Sequence, residues 1–172
     1  ASRELIKENG WTAVSIRAVA SRCSVSTGTI YNYYESKADL LSDTIESIWH
    51  EIFFHPEDEQ VFHDVESCIS WIYERLEYGN RQFPGFFSLH SFGFMRDEKT
   101  SGKKRMMKTW GHILNGLCEV LGNDPKVRAD VFDQEFTEKK FADILFSLIL
   151  VSMIRQDYDP SSVLMLVKKT LY

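Results

Sequence analysis

Residues 15–41, SIRAVASRCSVSTGTIYNYYESKADLL, constrain this chain more than any other stretch. Ser15 is placed to cap a helix on which Ile16, Val19, Ala20 and Cys23 recur at i, i+3, i+4 and i+7, the spacing of one buried face. The pattern ends near Cys23. Ser24 and Val25 then form a turn, and Ser26 is a second N-cap whose hydroxyl can satisfy a free backbone N–H of the next helix. On that helix Ile30 and Tyr34 are expected to point inward, leaving Thr27, Gly28, Thr29, Tyr31, Asn32 and Tyr33 at or near the surface. Ser36 followed by Asp39 has the form of a capping box, so a third helix starts there with Lys37 in its first turn.

Two short helices, a tight turn and the capped start of a third read as a head that docks on duplex DNA. Hydroxyls and amides on the second helix can bond phosphate oxygens or base edges, and Gly28 leaves room for close backbone approach. Lys37 is a phosphate-clamp candidate. The quoted residues Ser15-Ile16-Arg17, Val19-Ala20, Val25-Ser26, Gly28-Thr29-Ile30-Tyr31, Tyr34, Ser36-Lys37 and Leu40-Leu41 resemble the DNA-binding domain of the TetR family of bacterial transcriptional regulators. The resemblance implies that Arg17 reaches a base or phosphate, and that Thr27, Gly28 and Asn32 face the major groove. It further implies that Thr29, Tyr31, Tyr33 and Lys37 hold the backbone, beside the capping Ser26. On this reading residues 1–40 are the helix-turn-helix domain and residues 41–172 a helical ligand-binding and dimerisation domain.

Charge agrees only when divided along the chain. The 172 residues carry a net charge of −5, but between Ser15 and Lys37 three cations face a single carboxylate, so the head is locally basic and the remainder acidic. Such a head binds through hydroxyls and few cations, with a shallow salt dependence. Cys23, Cys68 and Cys118 are far apart and form no C-x-x-C pair, which favours reduced core cysteines and a cytoplasmic protein. The most apolar stretch, residues 141–154, is too short for a membrane span and contains Asp143. No membrane association is expected.

Beyond the head the periodicity predicts an all-α body. A helix from Ser36 to about Phe54 carries Leu41, Ile45, Ile48 and Ile52 on one stripe and ends before Pro56. Another, from about Val61 to a stop at Gly79-Asn80, carries Val65, Ile69, Ile72 and Leu76, with Trp71 on its buried face. After an aromatic stretch from Phe83 to Met95 and a polar loop over 97–104, Met106, Trp110, Ile113, Leu117 and Leu121 mark a helix broken at Gly122-Asn123-Asp124-Pro125. The helix over 137–155 is apolar nearly all round, and a last one carries Val163, Leu164, Leu166, Val167 and Leu171. A helix of that kind needs cover on both sides, which a second copy supplies. Phe141, Leu145, Leu148, Ser152, Val163 and Val167 are therefore the expected interface of a homodimer. Its two heads reach a roughly palindromic operator with half-sites about 34–36 Å apart or a multiple of that.

Other constellations point away from catalysis. His50, His55 and His63, beside Glu51, Glu57, Asp58 and Glu59, lack the i, i+4 spacing of helical zinc ligands. No metal or cofactor is expected. Lys99, Lys103, Lys104, Arg105 and Lys108 lack the glycines of a phosphate loop, and no nucleophile elbow nominates a catalytic triad, so no enzyme is expected. Aromatics and methionines between Trp49 and Trp110 read first as core. The family resemblance implies a small-molecule effector in the body, for which Trp71, Phe87, His90, Met106 and Trp110 are the lining candidates. The combined reading is a ligand-responsive repressor that binds an operator as a homodimer. The alternative is a helical ligand-binding or protein-interaction module without DNA-binding activity.

Overall fold

Three helices of the head start where a serine hydroxyl takes up a free N–H group. In the computed structural model, which describes residues 1–53, 62–87 and 101–172 (side chains of 101–109 excepted), helix α1 spans Ser2–Asn9. It ends at Gly10, whose φ of 77° turns the chain while its N–H still reaches the Ile6 carbonyl at 2.8 Å. A single 3-10 turn, Trp11–Ala13, leads to α2, Ile16–Arg22, where Ser15 Oγ accepts from the Ala18 N–H at 3.1 Å. Helix α3, Thr27–Tyr31, is capped the same way by Ser26, which accepts from the Thr29 N–H at 3.1 Å. In α4, Lys37–Phe53, Ser36 Oγ accepts from the Asp39 N–H at 3.2 Å and donates to the Asp39 carboxylate at 3.0 Å.

The turn between α2 and α3 has a geometry the sequence did not announce. Ser24 sits at φ 56°, its N–H bonds the Ser21 carbonyl at 3.1 Å, and the Val25 N–H bonds the Ala20 carbonyl at 3.0 Å. These paired bonds form a Schellman C-cap built on serine where glycine is usual. The cap ends the buried stripe one residue early. Cys23 is accordingly exposed, contrary to its expected core place, whereas Cys68 is buried, its thiol pushed up to about 12 by desolvation.

Four further helices complete the described chain: α5, Val65–Gln82; α6, Ser101–Asn123; α7, Glu138–Arg155; and α8, Ser161–Leu171. No strand occurs among the described residues, so the fold is all-α. The chain divides into two compact units, Ala1–Ile52 with Tyr78–Met107, and Phe53–Glu77 with Lys108–Tyr172.

In the first unit the head is joined by the end of α5 and the turn that follows. Gly79 and Asn80 do not stop α5. A Cβ at Gly79 would lie 2.5 Å from Ile52 Cδ1 and 3.1 Å from Phe87 Cζ, so the glycine serves close packing, and the Phe83 N–H still bonds its carbonyl at 2.9 Å. Phe86 meets Trp11 and Trp49 with ring centroids 6.0 and 5.5 Å apart, and Phe87 meets Trp49 at 5.7 Å. On α4 the buried stripe is Leu41, Thr44, Ile48 and Ile52, joined by Leu40 and Trp49, while Ile45 is half-buried.

The second unit is organised around a buried carboxylate. Asp124 accepts from the Val65 and Lys126 N–H groups, each at 2.9 Å, and from the Tyr172 hydroxyl. One side chain thereby ties the start of α5 to the loop after α6 and to the last residue. Asp64 caps α5 through the Ser67 N–H at 2.8 Å, so α5 begins four residues later than its apolar pattern suggested. Helix α6 in turn begins inside the stretch expected to be a polar loop, at Ser101. Thr137 caps α7 by accepting from the Lys140 N–H at 3.3 Å.

Helix α7 is not covered on all sides. Phe141, Leu145, Ile149 and Met153 are buried, as are Val163 and Val167 on α8, whereas Ile144, Val151 and Ile154 on α7 and Met165 and Leu166 on α8 remain exposed. Four of the six expected interface residues, Phe141, Leu145, Val163 and Val167, are therefore taken up by the single chain's own core. Of the other two, Leu148 is half-buried, and half-buried Ser152 bonds the Tyr73 hydroxyl at 2.9 Å.

Candidate nucleic-acid interface

The turn and caps described above place α3 with one face inward and the rest outward. Ile30 is buried, and Tyr34 is half-buried with its phenol raised by desolvation. Thr27, Gly28, Asn32 and Arg17 are exposed; Tyr31 is 55% and Tyr33 80% exposed, and Lys37 stands exposed at the start of α4. Thr29 is half-buried, its hydroxyl 3.0 Å from Ser26 Oγ. Ser26 and Thr29 thus spend hydrogen-bonding capacity on the cap, while the outer hydroxyls and amide project from the surface.

Ion pairing sorts the head's cations in a way that no local pattern signals. Arg22 makes a two-pronged bond to Glu8, and Arg3 and Lys7 both reach Glu51 at 2.8 Å. Among the described residues Arg17 and Lys37 have no ion-pair partner, and they are the two cations nominated from the sequence. Arg22, counted toward the basic head by sequence, is neutralised internally; Glu8 is correspondingly lowered below the usual carboxylate range by the Arg22 hydrogen bond.

A match to known proteins covers this same segment. Residues 1–44 match the family of bacterial regulatory proteins, tetR family. The N-terminal head, about a quarter of the chain, is thus similar to that family. The HTH-type transcriptional regulator UidR of Escherichia coli strain K12 is 38% identical over 45 residues, which are 26% of this chain and 23% of that protein. The protein of the same name from Shigella flexneri matches to the same extent. The match thus spans about a quarter of the length of these relatives. No solved structure matches the chain significantly.

The lining candidates separate. His90 and the Met106 side chain lie outside the described residues. Phe87 is fully buried against Phe86 and Trp49, in the first unit. Trp71 and Trp110 belong to the second unit and are both half-buried, Trp71 less enclosed than the buried helix face assigned to it. Each has an indole N–H that is buried with no hydrogen-bond partner, a feature no sequence pattern reveals. Among the described residues no cluster of His, Cys, Asp and Glu is arranged to hold a metal, and no helix is long and apolar enough to cross a membrane.

Proposed function

We propose that the chain is a DNA-binding transcriptional regulator that acts as a ligand-responsive repressor. The observation that carries this is the outer face of the helix-turn-helix head. Tyr31, Asn32, Tyr33, Thr27, Arg17 and Lys37 are exposed together, and the two cations are free of internal pairing. Hydroxyls and single cations of this kind position a protein on phosphates, and amides read base edges. The similarity of residues 1–44 to the tetR family of bacterial regulatory proteins supports the same reading.

Two copies act together in this proposal. Ile144, Val151, Ile154, Met165 and Leu166 form the exposed apolar side of α7 and α8, and a second copy of the chain is the partner that covers it and makes the heads bivalent. A pair of heads reads a near-palindromic operator. A small molecule then represses binding to it by favouring the dimer geometry that cannot span two grooves, which requires a higher affinity for that geometry.

Gel-shift titration against the chain's own upstream DNA at several salt concentrations tests the core of this. Lys37→Ala is expected to weaken binding to all sequences about equally and to lower the salt slope by about one. Arg22→Ala, which removes a cation already paired with Glu8, is expected to leave that slope unchanged. Equal slopes for wild type and Lys37→Ala overturn the contact assignment, and no retarded complex on any upstream fragment overturns the function.

A further inference from the structure

Three buried polar atoms among the described residues have no hydrogen-bond partner: the indole N–H of Trp71, that of Trp110 and the hydroxyl of Tyr158. All three belong to the second unit. An indole N–H is a donor only, and holding it out of water without an acceptor is unfavourable. The surroundings of Trp71 differ from those of Trp110. Phe53 and Phe62 meet the Trp71 ring edge-on, with centroids 5.7 and 5.2 Å away and interplanar angles of 67° and 71°. Phe62 is 41% exposed and Trp71 half-buried, so the ring cluster opens to solvent while the N–H does not. Trp110 instead packs edge-on, at 5.7 Å, against the buried Phe146.

We propose that Trp71, with Phe53 and Phe62, forms a binding site for a flat apolar molecule bearing a neutral carbonyl oxygen, which accepts the Trp71 Nε1–H. The rings offer apolar surface to a planar body, and the orphan donor fixes its one polar group. A neutral acceptor suits the site better than a carboxylate, because three aromatic rings desolvate a charge without balancing it. This deepens the effector reading above and rests on it, since it names the ligand chemistry that the second unit recognises.

The test uses the full chain labelled with ¹⁵N, whose four indole N–H resonances are assigned through single Trp→Phe variants. Acetylnaphthalene supplies the carbonyl, and ethylnaphthalene has the same shape without it. The ketone is expected to move the Trp71 indole proton downfield and to bind about tenfold more tightly than the hydrocarbon. In Trp71→Phe that preference is expected to vanish while the hydrocarbon binds about as before, the ring being retained. The proposal is overturned by an unmoved Trp71 resonance, by a shift confined to Trp110, by equal affinities, or by a preference that survives in Trp71→Phe. Should the variant fail to fold by circular dichroism, the wild-type resonance and the ratio of the two affinities decide alone. No DNA enters the measurement, so a silent Trp71 leaves the operator reading standing, and a failed gel shift leaves the probe result standing.

Discussion

The first unit joins Arg3, Lys7 and Arg22 to acidic partners and its buried aromatic rings to one another, whereas the second leaves donors buried without acceptors and an apolar stripe open. In the first, Lys7 alone combines an ion pair to Glu51 at 2.8 Å with a position 5.0 Å over the Phe83 ring. In the second, every unpartnered buried polar atom found among the described residues is carried by Trp71, Trp110 or Tyr158, the last with its phenol pushed up to about 12 by desolvation. A region that satisfies its own groups holds one arrangement, and a region that does not keeps interaction capacity for something outside itself. The same division appears in the apolar residues of α7, where one side is buried in the chain's own core and the other, with Ile144, Val151 and Ile154, is exposed.

The largest expected effect breaks that last division if it fails. Leu145→Ala removes a fully buried side chain and should cost about 3 kcal/mol of stability in denaturant unfolding. Ile144→Glu, one residue away and exposed, should leave the unfolding of a single chain nearly unchanged but shift sedimentation from dimer to monomer. If Ile144→Glu unfolds the protein and Leu145→Ala does not, the two faces of α7 have been assigned the wrong way round.

Next in size is Gly79→Val, which forces two methyl groups toward Ile52 and Phe87 in the tightly packed first unit. It should destabilise by about 2 kcal/mol, measured by the thermal midpoint. No loss of stability would mean that the end of α5 is as loose as the open face of the second unit. Smaller, and of opposite sign, is Ser24→Gly. The φ of 56° at this position is one that serine adopts at a cost, so glycine should gain up to about 1 kcal/mol without altering α2 or α3.

The smallest effect is a pH dependence in the second unit. Asp64 is held below its ordinary value of 3.8, first by the Ser67 N–H and also by Lys126, 3.0 Å away. A lowered carboxylate adds stability above its unfolded value, and that stability is lost as pH falls through the folded one. Asp64→Asn should therefore flatten the acid limb of the stability curve below about pH 4 and leave the alkaline limb unchanged, as followed by acid titration of the helical signal.

Much of the head was legible because its signals are local. Ser15, Ser26 and the Ser36/Asp39 pair cap helices through bonds three residues long, and the alternation of buried and exposed positions follows from 3.6 residues per turn. Tyr31, Tyr33, Asn32 and Lys37 were expected outside on the same ground and lie there. The stop at Gly79 was misread because a glycine at the end of an apolar run has the same appearance whether it terminates a helix or lets a neighbour in. The buried place of Cys23 was misread because one αL serine ended the stripe early. The assignment of Phe141, Leu145, Val163 and Val167 to a partner failed to separate core from interface, since an apolar helix carries no mark of which side its own chain will cover.

What the sequence determined by itself is the order of the helices, the capped turn of the head and the set of side chains that project from α3. These depend on neighbours within one or two turns, where backbone geometry leaves little choice. Only the tertiary structure decided that Arg22 is consumed by Glu8 while Arg17 and Lys37 stay unpaired, that Asp124 gathers Val65 and Tyr172, and that two indole donors are buried unmet. Each is a matter of groups far apart in the chain, or of an acceptor that never arrives, and such pairings are set by how whole helices pack.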